Sequence, residues 1–204
     1  MAKPKDWAFH FRGWVGIGIM MPAVAAVALT RPWIRPGSWE ALAFDGAGWL
    51  FLAAGLAFRL SSILFVGGRK GECLVTRGPY SICRNPLYVG SFLLAVSITL
   101  FLHSLTLLGG VVLVALFYLL AVIPSEERQL SGLFPEAWKA YVESVPRVIP
   151  RKLPLDGEGR YEVDLHALRN EALRAAGAMT IPILAAVLHH FRGGSWGFTP
   201  WTLP

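Results

Sequence analysis

The sequence predicts an all-α protein, a polytopic bundle of about five membrane-spanning helices with a cytoplasmic N terminus. Of its 204 residues, 54% are apolar and only 16% are charged, whereas globular chains average about 45 to 50% and about 25%. The chain therefore has too few charges to cover a water-facing surface. Uncharged runs of roughly 20 residues, enough to cross about 30 Å of hydrocarbon, recur along it. We expect residues 1–204 to form a single integral membrane domain.

The first two spans are predicted in the N-terminal third of the chain. Residues 13–30 are uncharged and lack the cleavage pattern of a signal peptide, so we interpret them as a retained span. Residues 46–68 form the second span, interrupted by Arg59. Because an ionisable residue within a span is a functional hypothesis, Arg59 is expected either to snorkel towards the cytoplasm or to face inwards, against an acidic pair or a substrate headgroup.

A helical hairpin is predicted to form the third and fourth spans. No Asp, Glu, Lys or Arg occurs from Pro86 to Ser125, a run that as helix equals about two bilayer thicknesses. The chain must therefore fold back, and we place the turn in residues 103–110. The residues with turn chemistry in that segment are Ser104, Thr106, Gly109 and Gly110.

The fifth span is predicted over residues 175–191, bent at Pro182. With the N terminus inside, fifteen of the 19 Lys and Arg residues fall in cytoplasmic segments, as the positive-inside rule requires. The net charge of +6 is thus explained by topology and requires no nucleic acid. An aromatic belt is expected at the outer end, formed by Trp33, Trp39, Trp49, Trp196 and Trp201.

The first polar motif covers residues 78–90, at the predicted start of the third span. In a structural interpretation, a Gly-Pro turn is followed by Asn85 as the N-cap of a helix and by Pro86 at its first position. In a functional interpretation, the same helix N terminus offers N–H groups and a positive dipole to an anion. Arg84 would add a bidentate fork for a carboxylate.

The second motif is the acidic pair Glu126-Glu127, directly after the fourth span. Acids are disfavoured at the C-terminal end of a helix dipole, so a cationic ligand or a buried arginine is expected beside them. The alternative is a solvated pair bonded to Arg128 or Lys139. Apolar residues then recur at three- and four-residue steps and predict an amphipathic cytoplasmic helix; they are Leu130, Leu133, Phe134, Trp138, Tyr141 and Val145.

These blocks carry a family resemblance that runs from about Leu74 to Pro150. The chain resembles the isoprenylcysteine carboxyl methyltransferase and phospholipid N-methyltransferase superfamily of integral membrane enzymes. Four blocks carry this resemblance, in this order around a helical hairpin: residues 78–80, 84–90, 126–127 and 145–147. The chain departs from the pattern at Asn85, where the carboxyl methyltransferases usually have His, and at Pro135 and Thr76, where glycines are usual. These departures bear on the acceptor more than on the donor.

The resemblance implies S-adenosylmethionine as methyl donor, bound at the cytoplasmic face by a core within residues 74–150, with the acceptor arriving from the bilayer. The donor-binding residues that it implies are Gly78, Pro79, Tyr80, Arg84, Asn85, Tyr88, Glu126, Glu127 and Tyr141. Glu127, Arg147 and Arg59 are the candidates for catalytic roles. A glutamate would take the proton of an amine acceptor, whereas an arginine would hold an anionic acceptor such as a carboxylate or thiolate.

Two other functions stay open at this point. A membrane reductase of sterols or related lipids would use NADPH, and Arg69-Lys70 is the basic cluster available for its 2′-phosphate. A non-catalytic membrane scaffold would use the motif residues only to cap helices. A soluble dinucleotide-binding domain is excluded, because Gly46-x-Gly48 opens a membrane span and does not follow a strand.

The expected partners are the lipid bilayer and a lipophilic or small membrane-permeant acceptor, and the expected location is the inner membrane of a bacterium or archaeon. We expect no metal site. His189 and His190 are adjacent on a predicted helix and point in different directions, so we interpret them as interfacial. The spacing of Cys73 and Cys83 matches no zinc or redox motif.

Overall fold

The computed structural model describes residues 7–29, 31–32, 34–35, 37–68, 71–149, 163–193 and 202–203. Arg69-Lys70, the cluster considered for NADPH, lies outside the described residues, as do Trp33, Trp196 and Trp201 of the expected aromatic belt. The other elements and motifs of the sequence analysis fall largely within them.

The regular secondary structure of the described residues is helical apart from one short parallel pairing of β1 (Arg31–Pro32) with β2 (Thr202–Leu203). The all-α prediction is therefore confirmed for this part of the chain. The helices are α1 (Trp7–Leu29), α2 (Trp39–Val66), α3 (Pro79–Ile82), α4 (Pro86–Phe101), α5 (Leu105–Phe117), α6 (Ile123–Leu133), α7 (Pro135–Ser144), α8 (Leu165–Ala178) and α9 (Ile181–Gly193). A π-helical turn, Tyr118–Val122, joins α5 to α6 without a break.

Three helical stretches among the described residues are long and apolar enough to cross a membrane: Trp39–Val66, Leu105–Leu133 and Leu165–His190. Two shorter apolar helices, Phe11–Val27 and Pro86–Phe101, accompany them. The chain is thus an integral membrane protein by length and composition of its helices. The count of five spans and their orientation stay predictions.

The last of these stretches begins earlier than the sequence analysis placed it. We predicted a fifth span over residues 175–191 with a bend at Pro182, but the helical stretch starts at Leu165 and turns at Met179–Thr180. Pro182 therefore lies in the first turn of α9. A proline is tolerated there because its missing N–H has no intrahelical partner to lose.

Helices α2 and α4 pack with their backbones in close approach. A Cβ added at Gly55 would lie 3.0 Å from the carbonyl oxygen of Gly90, and one added at Gly90 would lie 2.9 Å from the carbonyl oxygen of Gly55. Small residues allow such approach between helices in a membrane, where dispersion contacts drive association. Leu52 and Phe101 continue this contact and pack against Ala185 of α9.

The predicted hairpin is present, with its turn at the N-terminal edge of the segment that we indicated. Helix α4 ends at Phe101, His103 adopts a left-handed conformation with φ 48°, and the Ser104 hydroxyl accepts a hydrogen bond from the Leu107 backbone N–H at 3.1 Å. Gly109 lies inside α5 instead of in the turn. The Ser104 cap thus ends the turn before the glycines are reached.

The single amphipathic helix predicted after the acidic pair is instead two helices. Phe134, with φ −132°, interrupts the helix between α6 and α7. Pro135 then occupies the first position of α7, because a proline cannot continue the preceding helix but suits the start of a new one. The break turns α7 back, so that Tyr141 reaches α3.

Candidate functional site

A cavity opens at the end of the bundle where α2 ends and α4 begins, with α6 and α7 as its opposite wall. Its empty space, including the open mouth, is about 770 Å³. Seven of the residues that the sequence analysis named for a donor site line it: Tyr80, Arg84, Asn85, Tyr88, Glu126, Glu127 and Tyr141.

Gly78 and Pro79 shape one wall of the cavity from behind and do not line it. Gly78 has a φ of 60°, and an added Cβ there would clash with the ring of Phe65. Pro79 begins the short helix α3. The carbonyl oxygen of Tyr80 accepts a hydrogen bond from the Tyr141 hydroxyl at 2.7 Å. The Gly-Pro turn therefore fixes where Tyr80 and Tyr141 meet.

Asn85 stands at the N-cap position of α4, as predicted, but its side chain makes no capping hydrogen bond. Its amide nitrogen instead donates to Glu127 Oε1 at 3.3 Å and to the carbonyl oxygen of Arg147 at 3.1 Å. The backbone N–H of Arg84 donates to the carbonyl oxygen of Pro146 at 2.9 Å. The start of α4 is thus tied to the segment that follows α7, which explains how blocks far apart in the sequence meet.

Glu127 is itself buried and is the centre of a charge cluster that joins the largely buried Arg84 to the half-exposed Arg147. Its Oε2 accepts from Arg147 Nε at 3.0 Å and pairs with Arg147 Nη2 at 2.8 Å, while Oε1 lies 3.2 Å from Arg84 Nε. Both carboxylate oxygens are therefore engaged by protein groups. This matches the expectation of a buried arginine beside the acidic pair, and it gives the cluster of two arginines and one carboxylate a net positive charge.

Arg84 holds an unsatisfied donor. Its side chain is 10% exposed, its guanidinium lies 5.8 Å from the Trp138 ring centroid, and its buried Nε has no hydrogen-bond partner among the described residues. The carboxylate of Glu127 is close enough for charge attraction but lies at an angle unsuited to a hydrogen bond. An unpaired buried donor costs about 1 to 3 kcal/mol, and an acceptor on a ligand in the cavity would remove that cost.

Glu126 faces a different set of partners. Its Oε1 pairs with Arg12 Nη1 of α1 at 3.2 Å, and Tyr88 lines the same cavity. The Tyr88 ring contacts Tyr118 of the π-helical turn edge to face, with centroids 5.4 Å apart. Such turns often occur at functional sites, and this one sets the direction in which the acidic pair leaves α5.

Arg12 was not among the predicted site residues, because a basic residue near the start of the first span also satisfies the positive-inside rule. Only the packing of α1 against the π-helical turn and α6 shows its contact with Glu126. Cys73 was also missed as a wall residue of the cavity, since it lies in a connecting segment without a recognisable motif.

Burial controls the ionisation of groups at the cavity wall outside the spans. Desolvation raises the pKa of the Tyr80 and Tyr141 hydroxyls above the usual range of tyrosine, with nearby acidic groups adding to the effect. Desolvation likewise raises the pKa of the Cys83 thiol to about 11. All three groups are therefore neutral at physiological pH and act as hydrogen-bond donors or packing groups, not as anionic nucleophiles.

Arg59 contacts α8 and α4 and not the acidic pair, which was one of the two partners expected for an inward-facing Arg59. Its guanidinium donates to both oxygens of Glu171 in α8, at 2.5 and 2.9 Å, and to Ser91 Oγ in α4 at 2.6 Å. We had placed the start of the fifth span at residue 175, which left Glu171 outside the membrane region. The rule that an intramembrane charge needs a partner is the signal that would have found it.

His103 and His189 lie at the opposite end of the bundle from the cavity. His189 Nε2 bonds the carbonyl oxygen of Phe101 at 2.8 Å, and its ring lies 4.7 Å from that of His103, whose Nε2 bonds Asp45 Oδ1 at 3.0 Å. His189 is thus packed between helices and not purely interfacial. Within the described ranges, no group of three or more His, Cys, Asp or Glu residues is placed to hold a metal ion.

Comparisons with known proteins match most of the chain. The profile of the phospholipid methyltransferase family matches residues 47–137, the range that contains α4, α5, α6 and most of the cavity wall. No solved structure matches the chain.

Two relatives match over much of the chain. The nickel-cobalt-cadmium resistance protein NccN of Alcaligenes xylosoxydans xylosoxydans is 30% identical over 195 residues, which is 95% of this chain and 91% of that protein. The cobalt-zinc-cadmium resistance protein CzcN of Cupriavidus metallidurans is 32% identical over 133 residues, which is 65% of this chain and 61% of that protein.

Proposed function

Because the chain belongs to the phospholipid methyltransferase family, we propose that it is a membrane methyltransferase that uses S-adenosylmethionine and acts on a lipophilic or membrane-partitioned acceptor. The observation that carries this proposal is the cavity that Arg84, which holds an unsatisfied Nε–H donor, and the acidic Glu126 both line. When bound, S-adenosylmethionine supplies a methyl group on a positively charged sulfur.

The residues of the cavity fit the charges of this donor, which carries a carboxylate, an ammonium and a sulfonium. The buried Nε–H of Arg84 supplies a charge-assisted hydrogen bond to a carboxylate. Glu126 supplies a carboxylate for an ammonium group or for ribose hydroxyls. The aromatic walls formed by Tyr80 and Trp138 exclude water and offer surfaces on which a planar base packs.

The two glutamates take different roles in this proposal. Glu127 is a positioning residue, because its oxygens are occupied by Arg84, Arg147 and Asn85. It holds the Arg84 guanidinium in place and joins the segment after α7 to the start of α4. Glu126 is the carboxylate that contacts the donor. We therefore revise our hypothesis of a catalytic Glu127, and Arg147 likewise acts through Glu127, since it does not line the cavity.

Methyl transfer is an in-line displacement, so the chain has to align the acceptor with the methyl group and exclude water. An anionic acceptor needs no proton transfer and is favoured by the net positive charge of the Arg84–Glu127–Arg147 cluster. An amine acceptor must first lose a proton, and Glu126 is the cavity carboxylate available to receive it. The neutral Tyr80 and Tyr141 hydroxyls serve only to hold the wall.

The cavity is proposed to face the cytoplasm in a chain of five spans. Four points of the chain lie at the cavity: Arg12 near the start of α1, Val66 at the end of α2, Pro86 at the start of α4 and Glu126 after α5. This up-and-down arrangement supports the proposal, because it gathers the positive charges of the loops at one end, as the positive-inside rule expects of a cytoplasmic face.

The direct test is calorimetric titration of the purified chain in detergent with S-adenosylhomocysteine, the demethylated donor, and in parallel with NADPH. We expect saturable binding of the first and none of the second. Arg84→Gln should weaken the binding about tenfold or more, because a charge-assisted hydrogen bond is lost. Arg169→Gln, which removes an exposed arginine of α8, is the matched control and should bind as the wild type does.

Two results of this titration would contradict the proposal. The first is no binding of S-adenosylhomocysteine by folded wild-type chain. The second is wild-type affinity in Arg84→Gln, which would show that the unsatisfied donor does not face the ligand. Binding of NADPH in place of S-adenosylhomocysteine would support the reductase alternative.

In the cell, we propose that methylation of a membrane component contributes to tolerance of divalent metal ions. The support is the resistance named for the relatives NccN and CzcN. The test is growth of a cell that lacks the gene, complemented with the wild-type chain or with Glu126→Gln, in medium with added nickel, cobalt or cadmium. Equal growth with the two chains would refute this role.

A further inference from the structure

The cluster of Arg59, Glu171 and Arg174 contains two arginines and one glutamate, so it has a net positive charge. Glu171 Oε2 accepts from Arg59 Nη2 at 2.9 Å and from Arg174 Nη1 at 3.3 Å. The Arg59 guanidinium is fully used, since its third nitrogen donates to Ser91. Arg174 donates to Glu171 with Nη1 alone, and its side chain is 71% exposed. The surplus charge of the cluster is therefore presented by Arg174.

Arg174 lies on an exposed face of α8, beside polar residues such as Asn170 and apolar residues such as Leu173. Helix α8 belongs to a stretch long and apolar enough to span a membrane, and its neighbour Leu173 is 62% exposed. Arg174 lies nine residues after the start of α8, which corresponds to about 13 Å along the helix. Only one of its guanidinium nitrogens is engaged by Glu171, so Arg174 retains donors for an anionic headgroup, the kind of partner that basic residues near a membrane surface attract.

The cluster lies next to the cavity on the membrane side. Arg59 precedes Val66, which lines the cavity, by two helical turns, or about 10 Å. Ser91 Oγ donates to the carbonyl oxygen of Leu87, another lining residue, at 2.8 Å. A molecule whose charged group is held by this cluster would therefore have its remaining part within reach of the cavity.

Gly90, the last residue of the first polar motif, leaves space for the Arg59 side chain. A Cβ added at Gly90 would lie 2.7 Å from Arg59 Cγ and 3.1 Å from the Arg59 backbone nitrogen. The glycine of the block that starts α4 thus provides the space through which Arg59 reaches Glu171. Gly90 belongs to a block in which the chain resembles the methyltransferases. The Arg59 cluster and the cavity therefore depend on the same segment at the start of α4.

We propose that Arg174, supported by Arg59 and Glu171, binds the phosphate or carboxylate of an anionic membrane amphiphile on the acceptor side of the cavity. The relation to the acceptor rests on the proposed methyltransferase function; the binding of the anion does not. Arg59 is then a positioning residue, since it acts through Glu171. The acceptor class that follows is an amphiphile with an anionic headgroup.

The test is native mass spectrometry of the purified chain with dioctanoyl phosphatidylglycerol, which is anionic, and with dioctanoyl phosphatidylcholine, which is zwitterionic. We expect retention of the first lipid to exceed that of the second about tenfold. Arg174→Gln should reduce retention of the anionic lipid to the level of the zwitterionic one. Arg169→Gln, an exposed arginine on another face of the same helix, should leave retention unchanged.

A third arm with inorganic phosphate separates a lipid headgroup from a free anion. Because apolar residues such as Leu173 lie beside Arg174, we expect phosphate at the same concentration not to displace the lipid. The proposal is overturned if Arg174→Gln retains the anionic lipid as the wild type does, if both lipids bind equally, or if phosphate competes. Titration of the same preparations with S-adenosylhomocysteine tests the proposed function separately, so failure of either one is recognisable.

Discussion

At the scale of single residues, Glu126 and Glu127 show how neighbours on a helix serve different purposes. Successive side chains on an α-helix point about 100° apart, so one glutamate faces the arginines of a charge cluster and the other faces α1 and the cavity. Glu127 has its oxygens bound to Arg84, Arg147 and Asn85, whereas Glu126 pairs with Arg12. The first glutamate stabilises the site, and the second is available to a ligand.

This division predicts different outcomes for two conservative variants. Glu127→Gln leaves two arginines without their counter-charge and should lower the free energy of unfolding by about 2 to 4 kcal/mol, with loss of donor binding as a result. Glu126→Gln should weaken donor binding while it leaves stability within about 0.5 kcal/mol. Thermal unfolding in detergent and titration with S-adenosylhomocysteine measure the two effects. A stable Glu127→Gln variant would contradict the role we give to this residue.

Cys73 and Cys83 are expected to differ in their reactivity with a thiol reagent. Cys83 is completely buried, and burial raises its pKa to about 11, so it should not react with N-ethylmaleimide at about pH 7.5, since the thiolate is the nucleophile. Cys73 is exposed and lines the cavity, so it should be labelled, and S-adenosylhomocysteine should slow its labelling.

Peptide mass spectrometry identifies which cysteine carries the label. Cys73→Ser is the control and should abolish labelling of the folded chain. Labelling of Cys73 at the same rate with and without S-adenosylhomocysteine would place the ligand elsewhere, and rapid labelling of Cys83 would show that α3 does not cover it.

At the scale of elements, the contact between α2 and α4 determines where the cavity and the Arg59 cluster lie. Gly48, Gly55 and Gly90 let the two helices approach so closely that an added Cβ at any of them would lie within 3.0 Å of an atom of the other helix. The start of α4 is in turn joined to the segment after α7 through Asn85 and Arg84. The packing of α2 against α4 therefore also determines where the polar residues of the cavity lie.

This contact predicts the effect of adding one methyl group. Gly90→Ala places a Cβ against Arg59 Cγ and the Gly55 carbonyl oxygen, and overpacking of this kind costs about 1 to 3 kcal/mol. Gly109→Ala in α5 is the matched control, because a Cβ there meets nothing within 4 Å and alanine favours the helix by up to about 1 kcal/mol. Thermal unfolding should separate the two variants, and equal stability would contradict the close approach.

Some features of the elements were predictable from local sequence and others were not. Pro86 at the start of α4 and Ser104 at the start of α5 follow from the chemistry of helix termini, and the hairpin follows from the uncharged run. The division of the predicted amphipathic helix at Phe134 was not anticipated, because the apolar spacing continues through Pro135. In this case the conformational restriction of a proline outweighed the periodicity.

At the scale of the whole molecule, topology makes the prediction that is easiest to test. With five spans and a cytoplasmic N terminus, alkaline phosphatase fused after Pro204 should be active, because it would be exported, whereas the enzyme fused within residues 71–77 should be inactive. A green fluorescent protein at the same two positions should give the reverse pattern. Activity of the phosphatase in the loop that borders the cavity would place the site on the outer face.

The sequence by itself determined that this is a helical membrane protein and which blocks form the cavity wall. Composition, the length of uncharged runs and the chemistry of helix caps are properties of the local sequence. They do not depend on how the helices pack against one another. They also indicated that Arg59 and the acidic pair required partners, although they did not identify those partners.

The tertiary structure decided which charges meet. Arg12 pairs with Glu126 across 114 positions, Arg59 pairs with Glu171 across 112, and Asn85 reaches Glu127 across 42. In a bilayer, hydropathy does not distinguish one apolar helix face from another, so the arrangement depends on close packing at small residues such as Gly55 and Gly90. That packing separates the cavity from the cluster of Arg59, Glu171 and Arg174, whereas the sequence alone had left Arg59 and the acidic pair as parts of one candidate site.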